Sequence, residues 1–123
     1  MKETENSTSG FEHLLVWQKA HEFVLNTYKM TLNFPDSEKF GLISQFRRAA
    51  VSIPANIAEG YGKRSSADKA RFDNIAQGSI NECRYYLRLA KDLGYAKTNS
   101  LTDQLNEIGK MLNSYTNRVL ASS

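Results

Sequence analysis

One cysteine, two histidines and two prolines are all that 123 residues contain of these types, and each scarcity removes a class of chemistry. Cys83 has no second thiol with which to form an internal disulfide or a metal site, and reads as a small buried apolar residue. His13 and His21 stand eight positions apart, so the i, i+4 spacing that puts two ligands on one helical turn is absent; both read as surface or boundary side chains. The phosphate-binding loop, the GxGxxG turn, HExxH, CxxC and the GxSxG nucleophile turn are missing as well. Glu59 and Glu82 are the carboxylates a helical bundle would pair, but di-metal bundles use Glu-x-x-His, and neither histidine follows a glutamate by three. The expectation is a protein that is not an enzyme and has no cofactor, no metal and no catalytic residue.

Long apolar runs are also lacking. None approaches the roughly 20 residues that span a bilayer, so no membrane partner is expected. The opening MKETENSTSG has no apolar h-region, and residues 1–12 read as a flexible tail on a cytoplasmic protein. Apolar residues at 41% and charged residues at 24% fit one soluble domain, placed at residues 13–120. The net charge of +3 is unevenly spread: residues 1–40 hold four Lys and Arg against six Asp and Glu, whereas residues 41–123 hold twelve against seven. A basic second half favours a polyanionic partner by phosphate neutralisation, although helix faces with such charge are commonly just solvated.

What is present is helical periodicity. Val16, Ala20, Phe23, Thr27 and Met30 recur in steps of four and three and predict a first helix from about His13 to Asn33, with Trp17, Val24 and Tyr28 widening the stripe and Leu14, Leu25 and Leu32 on its back. Phe34-Pro35-Asp36-Ser37 breaks the chain, with Asp36 or Ser37 expected to cap a second helix that runs to about Tyr61 on Ile43, Phe46, Ala50, Ile53 and Ile57. Pro54 lies inside it. Ser65 followed by Asp68 resembles a capping box opening a third helix, with Phe72, Ile75, Ser79, Cys83, Tyr86, Ala90 and Leu93 as its stripe and Gly94 as a left-handed C-cap. Gly78, unfavourable in mid-helix by about 1 kcal/mol, suggests a close helix contact. Leu101, Leu105, Ile108, Leu112, Tyr115 and Val119 form a fourth stripe behind the capping run Lys97-Thr98-Asn99-Ser100. Four helices of about 20 to 28 residues with short connectors predict an all-α antiparallel up-down-up-down four-helix bundle.

The second helix carries more than one bundle needs. At 100° per residue, Gln45, Arg48, Ser52, Asn56 and Glu59 share a polar ribbon, while Phe40, Val51, Pro54 and Ala58 share a sector away from the core stripe. Ser52, Pro54, Asn56 and Glu59 are therefore candidate assembly and packing residues of a homo-oligomer, the alternative being contact with flanking helices of the same subunit. The candidate nucleic-acid-binding residues are Arg84, Arg88 and Lys91, a stripe at i, i+4 and i+7 opposite Cys83, together with Arg47, Arg48, Lys63 and Arg64; Tyr85 offers a stacking surface.

Four segments resemble a known family: Phe11 to Ala20 (FEHLLVWQKA), Arg47 to Gly60 (RRAAVSIPANIAEG), Gln77 to Glu82 (QGSINE) and Leu89 to Tyr95 (LAKDLGY). The chain is similar over nearly all of residues 11 to 120 to the small four-helix bundle proteins first associated with intervening sequences of bacterial 23S ribosomal RNA genes. The same fold occurs in the accessory variability proteins of diversity-generating retroelements. The resemblance implies a homopentamer, a barrel-like ring with basic surfaces, and in the retroelement branch an association with reverse transcriptase and with RNA or DNA. It brings no catalytic residues.

Overall fold

Each amphipathic stripe has to bury its apolar arc against another, and the four do so around one core. A computed structural model describes residues 10–122. Its helices are α1 (Leu15–Thr31), α2 (Leu42–Tyr61), α3 (Ser66–Asp92) and α4 (Asn99–Ala121), with short 3-10 turns at Phe11–His13 and Asp36–Glu38 and no strand among the described residues. Contacts link α1 to α2, α2 to α3, α3 to α4 and α4 back to α1, so the protein is a four-helix bundle. Phe23, Phe46, Ile53, Ile57, Ile80, Leu105 and Leu112 are fully buried at its centre; each such side chain contributes about 1.5–3 kcal/mol by leaving water. Among the described residues no helix is long and apolar enough to cross a membrane.

Of the expected tail, residues 1–9 lie outside the described residues. Phe11 and Glu12 belong to the first 3-10 turn, and Phe11 packs edge-on against Trp17 at 5.1 Å. The back of α1 divides: Leu14 packs onto the core, whereas Leu25 and Leu32 are exposed. The α2 helix starts later than Asp36 and Ser37 predict, because those residues close a separate 3-10 turn. Glu38 serves the helix start instead: its Oε1 accepts from the Leu42 N–H at 3.2 Å, and its Oε2 accepts from the Tyr95 hydroxyl at 2.8 Å. The Tyr95 ring lies 5.3 Å from Phe34. One glutamate thus joins the α2 start to the α3–α4 connector.

That connector begins with Gly94 at φ +76°, the Gly94 N–H on the Lys91 carbonyl and the Tyr95 N–H on the Ala90 carbonyl. This is the Schellman pattern that requires a residue without a Cβ. Ser65 caps α3 as expected, accepting from the Asp68 N–H at 3.1 Å.

The buried arc of α3 is rotated from the predicted one. Ile75 and Leu93 are exposed, while Asp73, Ala76, Ile80 and Leu87 are buried, because α3 sits between α2 and α4 and turns the midline between them inward. Gly78 marks no close contact: it is exposed, and a Cβ there would meet nothing within 4 Å. The close contact is at Gly60, where a Cβ would lie 3.0 Å from Phe72 Cβ and 3.1 Å from the Lys69 carbonyl oxygen.

Candidate nucleic-acid interface

The seven cations picked from the sequence fall in separate places. Arg47 is held on the α1–α2 seam, its Nε donating to Thr31 Oγ1 at 2.8 Å and its guanidinium 4.4 Å from the Tyr28 ring. Thr31 in turn donates to the Thr27 carbonyl at 2.9 Å. Arg47 therefore ties two helices together, with its planar group stacked rather than extended into solvent.

Arg48, one residue on and 100° around the helix, is exposed; it shares with Arg47 a groove bordered by Tyr28, Phe40 and Val51, and it also reaches the side of α2 that faces α3. There it lines a pocket of about 370 Å³ with Gln45, Ser52, Ser79, Glu82 and Tyr86. The Tyr86 hydroxyl donates to Glu82 Oε2 at 2.7 Å, and burial followed by this bond pushes the phenol up to about 12. The Ser79 hydroxyl donates to Ser52 Oγ at 2.8 Å, and the Asn56 amide donates to the Ser52 carbonyl at 2.8 Å. Within one subunit Ser52 is thus joined to α3, and Asn56 is satisfied by Ser52 on α2 itself.

The rest of the proposed assembly set behaves differently. Pro54 is buried within the chain, contrary to its expected place in an outward sector: it stands four residues after Ala50 and three before Ile57, both fully buried, so it falls within the width of the core arc. Glu59 is exposed and paired with Lys63 at 3.1 Å, a solvated i, i+4 bridge worth well under about 1 kcal/mol.

Lys63 also lies 5.1 Å from the Phe72 ring, and Arg64 is exposed beside it in the α2–α3 connector. Arg88 and Lys91 stand at the far end of α3, 16 and 19 positions beyond Phe72, or about 24 and 28 Å along a helix at 1.5 Å per residue.

Arg84, Arg88 and Lys91 do come together. They do not point away from Cys83 and the core; they border α4. Arg84 reaches across to Asn106 Oδ1 at 3.3 Å and to Asn81 Oδ1 at 2.6 Å, and Arg88 pairs with Asp92 at 2.9 Å. With Thr98, Asn99, Thr102 and Asp103 the three cations line a groove of about 320 Å³. Arg84 continues into a second groove toward the other end of α4, with Gln77, Asn106, Gly109 and Lys110. Lys110 extends the basic face, and sequence reasoning missed it because its helix was read only for its apolar stripe. Tyr85 is exposed but lines neither of these grooves.

Cys83 is buried, and burial, with the charge of Glu82 adding to it, pushes its thiol up to about 12. Asp73, which sequence reasoning also missed, is buried near the opposite end of the bundle and accepts from the Thr116 hydroxyl at 2.9 Å. Burial raises its pKa, opposed by the Thr116 bond and the Lys69 charge. No apolar periodicity marks such a residue; only its place between Gly60 and Thr116 does.

A search of curated proteins finds no match to the chain. A family model described as the 23S rRNA-intervening sequence protein matches residues 12–114, which cover the first three helices and most of α4 and include both α3–α4 grooves. The chain therefore belongs to the 23S rRNA-intervening sequence protein family.

Proposed function

We propose that the protein is a non-enzymatic, oligomeric bundle of the cytoplasm that binds nucleic acid, RNA or DNA, as an accessory to an enzyme such as a reverse transcriptase. The observation that carries this reading is the alignment of Arg84, Arg88 and Lys91 along one groove with three neutral hydrogen-bonding side chains of α4. Cations fixed beside hydroxyl and amide groups suit a phosphate backbone, which is neutralised by charge and positioned by hydrogen bonds. The helices run up-down-up-down in this reading, supported by the cross-helix pairs Ser52–Ser79 and Gln45–Tyr86 on one seam and Asp73–Thr116 and Gln77–Gly109 on the next. As a homopentamer the assembly carries five times +3, or +15, and repeats the groove five times, which raises both field and avidity.

Fluorescence anisotropy with single-stranded RNA and DNA oligonucleotides tests the reading. With about three phosphate contacts, log K falls against log salt with a slope of about −2 to −3. Reversing Arg88 and Lys91 together to glutamate abolishes binding while the circular dichroism spectrum is unchanged. No binding at low salt ends this reading.

Exposed apolar side chains favour a second one, a pentameric scaffold for protein partners without a nucleic-acid role. Phe40 is 89% exposed and Leu32 75%, with Val51, Leu25 and Tyr28 also at the surface of α1 and α2; such a patch is disfavoured on a free monomer. This reading expects a protein partner that survives nuclease treatment, and a monomer by light scattering at micromolar concentration refutes the oligomer in both.

A further inference from the structure

The α3–α4 groove ends at a helix start that the fold leaves unsatisfied. The first N–H groups of any helix lack intrahelical acceptors. Glu38 serves α2 and Ser65 serves α3; α1 starts at the apolar Leu14 without a side-chain cap, and Thr98, the N-cap residue of α4, has a hydroxyl but makes no capping bond with it. Thr98 is only 4% exposed, yet its hydroxyl has no hydrogen-bond partner among the described residues. It is not sealed in the core either: the fully enclosed unpartnered side-chain atom is the Thr27 hydroxyl, and Thr98 lines the groove. A largely buried donor, an uncapped helix start and three cations on the facing helix converge on one volume.

We infer that this end of the groove is a seat for a single phosphate group, held by the first-turn N–H groups of α4 and the Thr98 hydroxyl. Helix start and dipole both favour an anion there. Lys91 supplies the balancing charge, since Arg84 is engaged by Asn81 and Asn106, and Arg88 by Asp92. Asp103 on the same rim opposes an anion, which limits the seat to one phosphate. The inference rests on the nucleic-acid reading for the identity of the ligand: the phosphate is one of a nucleic-acid strand. The strand is then held in register at the α3–α4 connector rather than spread diffusely over a basic face.

The test follows backbone amide resonances of the full chain during titration with inorganic phosphate and, separately, with a single-stranded RNA oligonucleotide. Asn99, Ser100 and Leu101 amides shift with both ligands. Thr98→Val, which keeps the shape and removes the hydroxyl, weakens phosphate about tenfold, as for one hydrogen bond to a charged acceptor, and Thr98→Ser restores it. Lys91→Ala reduces the salt slope of oligonucleotide binding by about one. Oligonucleotide binding that leaves these amides unmoved, or phosphate binding indifferent to Thr98→Val, overturns the seat while nucleic-acid binding stands. Phosphate at these amides with no oligonucleotide binding overturns the nucleic-acid identity and leaves an anion site. Silence with both ligands overturns both.

Discussion

Two glycines in neighbouring stretches of the same bundle should respond to alanine in opposite directions. Gly78 lies mid-helix on the exposed side of α3, and a Cβ there meets nothing within 4 Å. Glycine costs about 1 kcal/mol relative to alanine in a helix interior, so Gly78→Ala raises stability by about that amount, or roughly 3–5 °C in Tm for a chain of this length. Gly60 sits where α2 meets the start of α3, and its added Cβ would lie 3.0 Å from Phe72 Cβ and 3.1 Å from the Lys69 carbonyl oxygen. Neither atom is the end of a flexible side chain, so the helices must part by a few tenths of an ångström, at a typical overpacking cost of 1–3 kcal/mol. Set against a helix-propensity gain of up to about 1 kcal/mol, Gly60→Ala loses up to about 2 kcal/mol, and the two variants differ by about 1–3 kcal/mol. Urea denaturation at low protein concentration, followed by circular dichroism, measures both. Gly78→Ala less stable than the parent, or Gly60→Ala more stable, refutes the assignment of the close helix contact to Gly60.

Thr27 is fully buried in α1 with an unpartnered hydroxyl, so Thr27→Val gains about 1 kcal/mol of stability; a loss by chemical denaturation shows the hydroxyl to be engaged. Burial raises the folded-state pKa of Asp73 above its unfolded value, so the folded state takes up the proton first and the cost of the buried charge is full only above the folded pKa. Stability therefore gains from this group as pH falls through that value, and Asp73→Asn stabilises at pH 7 by an amount that shrinks toward pH 4; a constant difference across that range contradicts the assignment. Arg47→Ala removes the Tyr28 stacking and the Thr31 bond and lowers stability by about 1–2 kcal/mol, while oligonucleotide affinity per folded protein stays within about twofold. A large affinity loss returns Arg47 to the interface.

The periodicities of Phe46, Ala50, Ile53 and Ile57, and of Leu101, Leu105, Ile108 and Leu112, determined their helices and their buried faces directly, because an apolar stripe at helical spacing has one economical place to go. Ser65 and Gly94 were equally legible, since capping depends on residues within a few positions of one another. The family was legible too, from RRAAVSIPANIAEG and its companion segments.

Whatever depended on a neighbouring helix was decided only by the tertiary structure. The buried arc of α3 is set by having α2 on one side and α4 on the other, so Ile75 and Leu93 fell outside and Asp73 inside. Arg47 and Arg48 are adjacent in the chain, yet one is stacked on Tyr28 and the other opens onto the pocket with Ser79 and Glu82. Of the seven cations, Arg84, Arg88 and Lys91 gain a groove rimmed by hydrogen-bonding side chains, because α4 brings Thr98 and Asn99 beside them, whereas Arg47 and Arg48 border a groove with Tyr28, Phe40 and Val51. Helical spacing specifies which residues share a face, but the partner opposite that face lies tens of residues away, and only packing brings it there.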